Sequence, residues 1–340
     1  MGEETLSAPE AHGCTVRRFQ PGDAAEVTEL VEAVYGNTYY PTELYNPAEI
    51  VRLNAEDKLV SVVTVHDDRD IVGHYALERP RLGRVAEASD AIVAVDFRRH
   101  HLMEEMREVL RAQALSIGLT GIVGYPVTNH LFSQMAEDHF GAHPCGIAPG
   151  LWPRSFHNMP EPLPQRMSFV IYFKYLRPVT EAVHVATAHR AMLERIAGQW
   201  SVPVCNVAPA TPASAGQLTI EYEAPVETGS IHVHTVGHDS AGSLAQAHAK
   251  LRDRGAKAIS LELPLAQAGT AELCRAAEGL SYFFCGLGPS FAADGDALLL
   301  QYLDEDLDAA LILIENPLAK GLLAYVDKER KRARSRASGI

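Results

Sequence analysis

The sequence predicts an α/β protein: a mixed sheet flanked by helices, in two domains. Three observations lead there. The chain has 340 residues, more than a single hydrophobic core usually organises. Strand patterns come first in succession and then alternate with helix patterns, which calls for a mixed sheet with helices on both faces. The same order of elements returns in the second half without a residue-level repeat, so what repeats is architecture. The expected division is 1–177, 178–327 and a basic flexible tail at 328–340.

The elements follow in order. "TVRRFQPGDAAEVTELVEAVYG" reads as a short strand, a turn and a helix whose N-cap is Asp23. Ala24, Val27, Leu30, Val31 and Val34 share one face of that helix. A Tyr-rich segment follows, and then the strands "LVSVVTVH" and "IVGHYALERP", split by "DDRD". "ASDAIVAV" is a third strand and runs into a helix carrying Leu102, Met106, Val109, Leu110 and Ala114. Next come the strand "TGIVGYPV", a short helix ending near Gly141, a Pro-rich loop and the strong strand "MSFVIYFKYL". The second half reads as a helix ("TAHRAMLERIAGQW"), three strands, a helix ("SLAQAHAKLRDRG"), a strand ("AISLELPL") and a helix ("TAELCRAAEGL"). Two strands and a last helix over about 307–327 close it.

Composition narrows the function. Hydrophobic residues are 47% and charged residues 21%, as a packed core requires. A net charge of −13 sets the protein as a whole against nucleic acid and anionic lipid. The basic end "DKERKRARSRASGI" is the one stretch that could touch nucleic acid, and it reads as a solvated tail. No apolar run is long enough to span a bilayer, and the polar start does not fit a secretory signal, so a cytoplasmic protein without membrane contact is expected. Cys14, Cys145, Cys205, Cys274 and Cys285 are scattered and form no CxxC pair; buried free thiols are expected.

The most informative stretch is "VAVDFRRHHLMEEMREVL". Arg98, Arg99, His100 and His101 stand at a strand-to-helix turn, where a helix dipole disfavours positive charge unless an anion is near. Together with "VRRFQPGDAAEVTELV", "IVGHYALE" and "NHLFSQMAEDHFG", it gives the first half, about residues 14–176, an order that resembles the GNAT N-acetyltransferase superfamily. In the second half "YFFCGLGPSFAADGDALLLQYL" looks like the closing strands of a degenerate GNAT-like domain. The family signature is Q/R-x-x-G-x-G/A, whose backbone N–H groups hold the coenzyme A pyrophosphate. Aligned on Arg98, this chain has His101 and Met103 at the two glycine positions. Their side chains crowd the backbone, while the arginines suit phosphate.

The resemblance implies transfer of an acyl group, acetyl in the first instance, from acetyl-coenzyme A or another acyl-coenzyme A to the amine of a small molecule. It implies that Ile92, Val93 and Val95 pair with the pantetheine arm and that Arg98, Arg99, His100, His101, Leu102 and Met103 hold the pyrophosphate. Asn129 would also touch the cofactor. Glu87 or a water would be the base, with Asp90 as a further candidate, and His130 or Tyr125 the acid. Two other readings stay open: an enzyme of specialised metabolism on the same fold that does not use acyl-coenzyme A, and a non-catalytic binding protein.

Other residues are weighed against plainer roles. His74 reads as a satisfied core histidine, and Cys145 as a buried thiol rather than an acyl acceptor. Tyr35, Tyr39, Tyr40 and Tyr45 suit an acceptor pocket or simple packing. His232 and His234 share a strand face, with His238 in the next turn; no carboxylate is matched to them, and no metal site is expected. "TVGHDSAGSLAQ" lacks the basic lead residue, so no cofactor is expected there. The second half would complete the acceptor cleft or mediate a homodimer.

Overall fold

The structure is a computed structural model and describes residues 13–78, 84–98, 100–155, 161–179, 182–185, 188–206 and 211–337. The fold is mixed α/β. The chain forms two compact units, residues 1–122 with 156–160, and 123–155 with 161–340.

The first unit holds β1 (Cys14–Arg18), α1 (Ala24–Tyr35), α2 (Pro47–Ala55), β2 (Leu59–His66), β3 (Asp70–Glu78), β4 (Val85–Val93) and α3 (Leu102–Ser116). The four strands pair antiparallel in chain order. Val27, Leu30 and Val31 of α1 pack with Leu44, Ile50, Leu59, Val63, Val65 and Ile92. On α3, Leu102, Met106, Leu110 and Ala114 are buried at i, i+4 spacing. A Cβ on Gly73 of β3 would lie 3.3 Å from the Met106 methyl carbon, so α3 seats closely on the strand.

Asp23 precedes α1 but does not cap it. Its carboxylate accepts the Gln20 N–H at 2.7 Å and both Arg17 Nη atoms at 2.7 and 2.8 Å, closing the turn instead. The Tyr-rich segment contains α2, which the pattern of tyrosines hid. Asn46 accepts the Ala48 N–H at 3.1 Å, and Pro47 opens the helix.

β5 (Gly121–Gly124) carries the chain into the second unit. There follow α4 (Phe132–Phe140), β6 (His143–Trp152), β7 (Met167–Tyr175), β8 (Val183–Val185), α5 (Arg190–Ala197), β9 (Val204–Asn206), β10 (Gln217–Glu223) and β11 (Thr228–Thr235). After these come α6 (Ser240–Asp253), β12 (Ala258–Pro264), α7 (Thr270–Gly279), β13 (Phe283–Ala292), β14 (Gly295–Leu303) and α8 (Pro317–Ala337). The order β4-α3-β5-α4-β6-β7 returns as β11-α6-β12-α7-β13-β14. In the second unit the sheet runs β7-β6-β13-β14-β12-β11-β10, and the equivalent strands β6 and β13 pair with each other at Gly146 and Gly286. A Cβ on Gly286 would sit 2.3 Å from the Cys145 carbonyl oxygen, so this junction needs glycine.

The sequence pattern assigns no element to β6, because Pro144, Gly146, Pro149 and Gly150 interrupt it. One expectation needs correction: the last helix continues to Ala337, well into the expected flexible tail. Arg332 and Arg336 bond to Glu278 at 3.0 and 2.8 Å, and Arg334 pairs with Asp306. These partners hold the basic turns as helix; residues 338–340 lie outside the described residues. No helix of the described residues is long and apolar enough to cross a membrane.

Candidate functional site

β4 is broken by a bulge. Ser89 lies opposite Ala76 and Ile92 opposite His74, so Asp90 and Ala91 face Tyr75 together. Asp90 takes a left-handed φ of 57°, which aspartate tolerates better than most residues. It is 5% exposed, and the Tyr39 hydroxyl donates to its Oδ1 at 3.0 Å. Burial, and then the charges of Glu78 and Glu43, push the Asp90 carboxyl well above the usual carboxylate range, against the Tyr39 bond. Burial and Asp90 together push the Tyr39 phenol up as well. Both shifts favour the protonated forms. The tyrosines expected in a pocket wall close around it: Tyr35 stacks on Tyr39 at 4.5 Å, and the Tyr45 hydroxyl accepts the Tyr39 N–H and donates to Gly36 O.

His74 supports the bulge from β3. Its Nδ1 lies 3.2 Å from the Asp90 carbonyl, which can only accept, so Nδ1 carries the proton. Nε2 then accepts from the Ser61 hydroxyl at 3.1 Å, and Ser61 Oγ accepts from Asn54 at 3.2 Å. Complete burial lowers the imidazole to about 4. This is a neutral, satisfied core histidine.

Beyond β4 the chain makes a 3-10 turn over Val95–Phe97 and enters α3. His101, at the first glycine position of the signature, has φ 59° and ψ 13°. It carries the left-handed conformation that glycine adopts without cost, at about 1–2 kcal/mol. Its side chain is 63% exposed, so the imidazole stands out in solvent, with Nδ1 3.7 Å from the Glu104 carboxylate. The His101 side chain does not cap α3. The first-turn N–H groups of Leu102, Met103 and Glu104 have no partner within the helix, which is where an anion would be received. Leu102 points its side chain into the core and fixes the helix start, while Met103 is half-buried. Arg98 is exposed and its Nε donates to the Val93 carbonyl at 3.3 Å. Glu104 and Glu105 oppose an anion from the same turn.

The remaining candidates are placed as follows. Ile92, 1% exposed, offers only its main chain, whereas Val95 is 65% exposed. His100 is half-buried, and Arg99 lies outside the described residues. Glu87 is half-buried and sits directly opposite Glu78, a like charge across the pair. Tyr125, Asn129 and His130 belong to the second unit. Asn129 is exposed; Tyr125 and His130 are half-buried. The His130 Nδ1 is buried without a hydrogen-bond partner, and burial lowers the imidazole. Neither Thr128 nor Asn129 caps α4: Leu131 holds that position, and the Thr128 hydroxyl donates to Ser168 O at 2.9 Å. Cys145 is buried, donates to Ile171 O at 3.4 Å, and its thiol is pushed up by burial.

At the equivalent strand end of the second half, groups of its own chain enter the splay beside an open pocket lined by Pro212, Val236, Gly237, His238 and Ser240. β11 and β12 are parallel and paired as far as His232 and Glu262, then diverge. The Gln267 amide enters the gap, accepting from Val236 N–H at 2.7 Å and donating to His234 O at 2.9 Å. Ala213 lies alongside Gly237, donating to Val236 O and accepting the His238 N–H. His232 has a carboxylate partner after all: its Nδ1 is 2.9 Å from Glu262 Oε2. The adjacent strand register created that pair, which spacing along the chain cannot show.

Sequence reading missed the Tyr39–Asp90 pair. An aspartate inside the apolar run "ASDAIVAV" was the available signal.

No family model and no curated protein matches the chain. Solved structures of GNAT-family N-acetyltransferases match about half of it. An N-acetyltransferase from Staphylococcus aureus Mu50 is 14% identical, covers 48% of this chain and 99% of its own, and has a TM-score of 0.39. A GNAT-family acetyltransferase from the same organism is 12% identical over 48% and 99%, with a TM-score of 0.37. A ribosomal-protein-alanine N-acetyltransferase from Brucella melitensis is 15% identical over 47% and 99%, at 0.38.

Proposed function

We propose that the chain binds an acyl-coenzyme A at the β4–α3 connection and transfers the acyl group, acetyl in the first instance, to the amine of a small molecule. The observation that carries this is the uncapped start of α3 behind a left-handed His101, where the resembled signature has its first glycine. The backbone takes a left-handed conformation that glycine adopts without cost, and the imidazole stands in solvent.

In this reading Arg98, Arg99 and the main chain from His100 to Met103 hold the pyrophosphate, and Ile92, Val93 and Val95 pair with the pantetheine arm. Arg98 exchanges its bond to Val93 O for a phosphate oxygen. The amine nitrogen attacks the thioester carbonyl, the C–S bond breaks and an amide forms. Glu87, or a water, takes the amine proton, and the thiolate leaves to take a proton from solvent. Asp90 accepts from Tyr39 and orders that side of the bulge. Residues 1–177 form the transferase domain and 178–327 a degenerate copy.

Thermal shift with coenzyme A and acetyl-coenzyme A tests binding. Ligand at a hundred times its dissociation constant stabilises by about 2.7 kcal/mol, and Arg98→Ala with Arg99→Ala removes the shift. No shift at millimolar ligand would end the proposal. A shift without thiol release across an amine panel would favour the non-catalytic binding protein.

A further inference from the structure

A second cluster of chemistry-bearing groups lies in the second unit, apart from the β4–α3 connection. Cys274 and Glu278 are four residues apart on α7, so they share one helix face. His189, immediately before α5, brings its ring to the same place. The His189 nitrogen, the Cys274 sulfur and a Glu278 oxygen all lie within 4.8 Å of one another.

We propose that His189, Cys274 and Glu278 bind a zinc ion. Bonds of roughly 2.0–2.3 Å to nitrogen, oxygen and sulfur in a tetrahedron put the ligand atoms about 3.3–3.7 Å apart. His189 Nε2 is 3.6 Å from Glu278 Oε1, a tetrahedral edge and longer than a hydrogen bond should be. The His189 side chain is 4% exposed, and its buried Nε2 has no hydrogen-bond partner among the described residues. A buried nitrogen in that state is costly unless something takes its lone pair.

The surroundings are those of a supported ligand set. The Tyr325 hydroxyl lies 2.8 Å from His189 Nδ1, the other ring nitrogen. If it accepts the Nδ1 proton, Nε2 is left as the free donor atom, as in most metal-bound histidines. Arg332 and Arg336 hold Glu278 at Oε1 and Oε2, which orients the carboxylate and leaves lone pairs on both oxygens. Their positive charges weigh against a dication. The thiolate that zinc creates at Cys274, and Glu329, which pairs with Arg332 at 2.6 Å, offset them. On binding, the Cys274 S–H proton leaves to solvent and a water completes the tetrahedron. The ion would tie the start of α5 to α7, with α8 as support.

The test uses the full chain stripped with chelator, reloaded with Zn2+ and desalted. One zinc per chain by elemental analysis and a raised melting temperature are expected. Zinc-edge X-ray absorption of the unmutated protein should show one sulfur among nitrogen and oxygen ligands. Cys274→Ser and His189→Gln should each lose stoichiometric zinc, and Tyr325→Phe should weaken it ~10-fold. No retained zinc, a metal shell without sulfur, or unchanged zinc in folded Cys274→Ser would overturn the proposal.

Discussion

The pH dependence of stability should carry the signature of His74. The imidazole sits at about 4 in the fold, because burial penalises its charged form. In the unfolded chain it titrates near 6.5. Between these values the unfolded state binds more protons, so stability falls as pH drops from 6.5 towards 4 and the loss is complete below 4. Linkage over that interval gives about 2 kcal/mol lost by pH 5 relative to pH 8, and about 3 kcal/mol in full. The assay is urea unfolding followed by circular dichroism from pH 5 to 8, for the native chain and for His74→Gln, which cannot titrate there. The variant starts less stable, since it loses the fit to Ser61 and Asp90. The readout is the slope with pH, not the level. Asp90 titrates in both proteins and cancels. The native chain should lose about 2 kcal/mol more than the variant on acidification. Parallel slopes would refute the buried neutral imidazole, and with it the support described for the bulge.

Asp90 has the opposite sign. A carboxyl raised in the fold favours the native state at low pH and costs stability as pH rises above about 4. Asp90→Asn should therefore be stabilised relative to the native chain more at pH 8 than at pH 5 in urea unfolding; an equal effect at both would count against a raised Asp90 carboxyl. Met106→Ala removes a fully buried side chain beneath β3 and should cost about 2–5 kcal/mol. A loss below about 1 kcal/mol in the same assay would mean α3 is not packed there. Gly286→Ala drives a methyl group into the Cys145 carbonyl and should cost at least about 1–3 kcal/mol or abolish soluble expression.

Much of this was legible in the sequence, for physical reasons that can be named. Near-continuous apolar runs mark β2 and β3, which are buried on both faces, and helical apolar periods mark α1 and α3, which each bury one. β6 was not legible: its prolines and glycines break the strand pattern, and Gly146 serves a close approach to β13, a contact made far along the chain. α2 was hidden by tyrosines, although Asn46-Pro47 spelled its start. The helical end of α8 depends on Glu278 and Asp306, which only folding brings near.

The site divides in the same way. The turn after β4 was found by its position and its arginines, whereas the left-handed His101 is a property of the backbone that composition does not reveal. Asp90 became informative only through the bulge and Tyr39. The cluster of His189, Cys274 and Glu278 joins the residue before α5 to two residues of α7, and only the i, i+4 pair on α7 could have hinted at it.

The central claim is that the open start of α3 receives the coenzyme A pyrophosphate. It is tested most directly by following the backbone amides of Leu102, Met103 and Glu104 by NMR while coenzyme A is added. These amides should shift in a saturable way, among the largest changes in the chain, and the shifts should weaken in Arg98→Ala. Amides at the start of α3 that stay still while coenzyme A binds elsewhere, or does not bind, would contradict it.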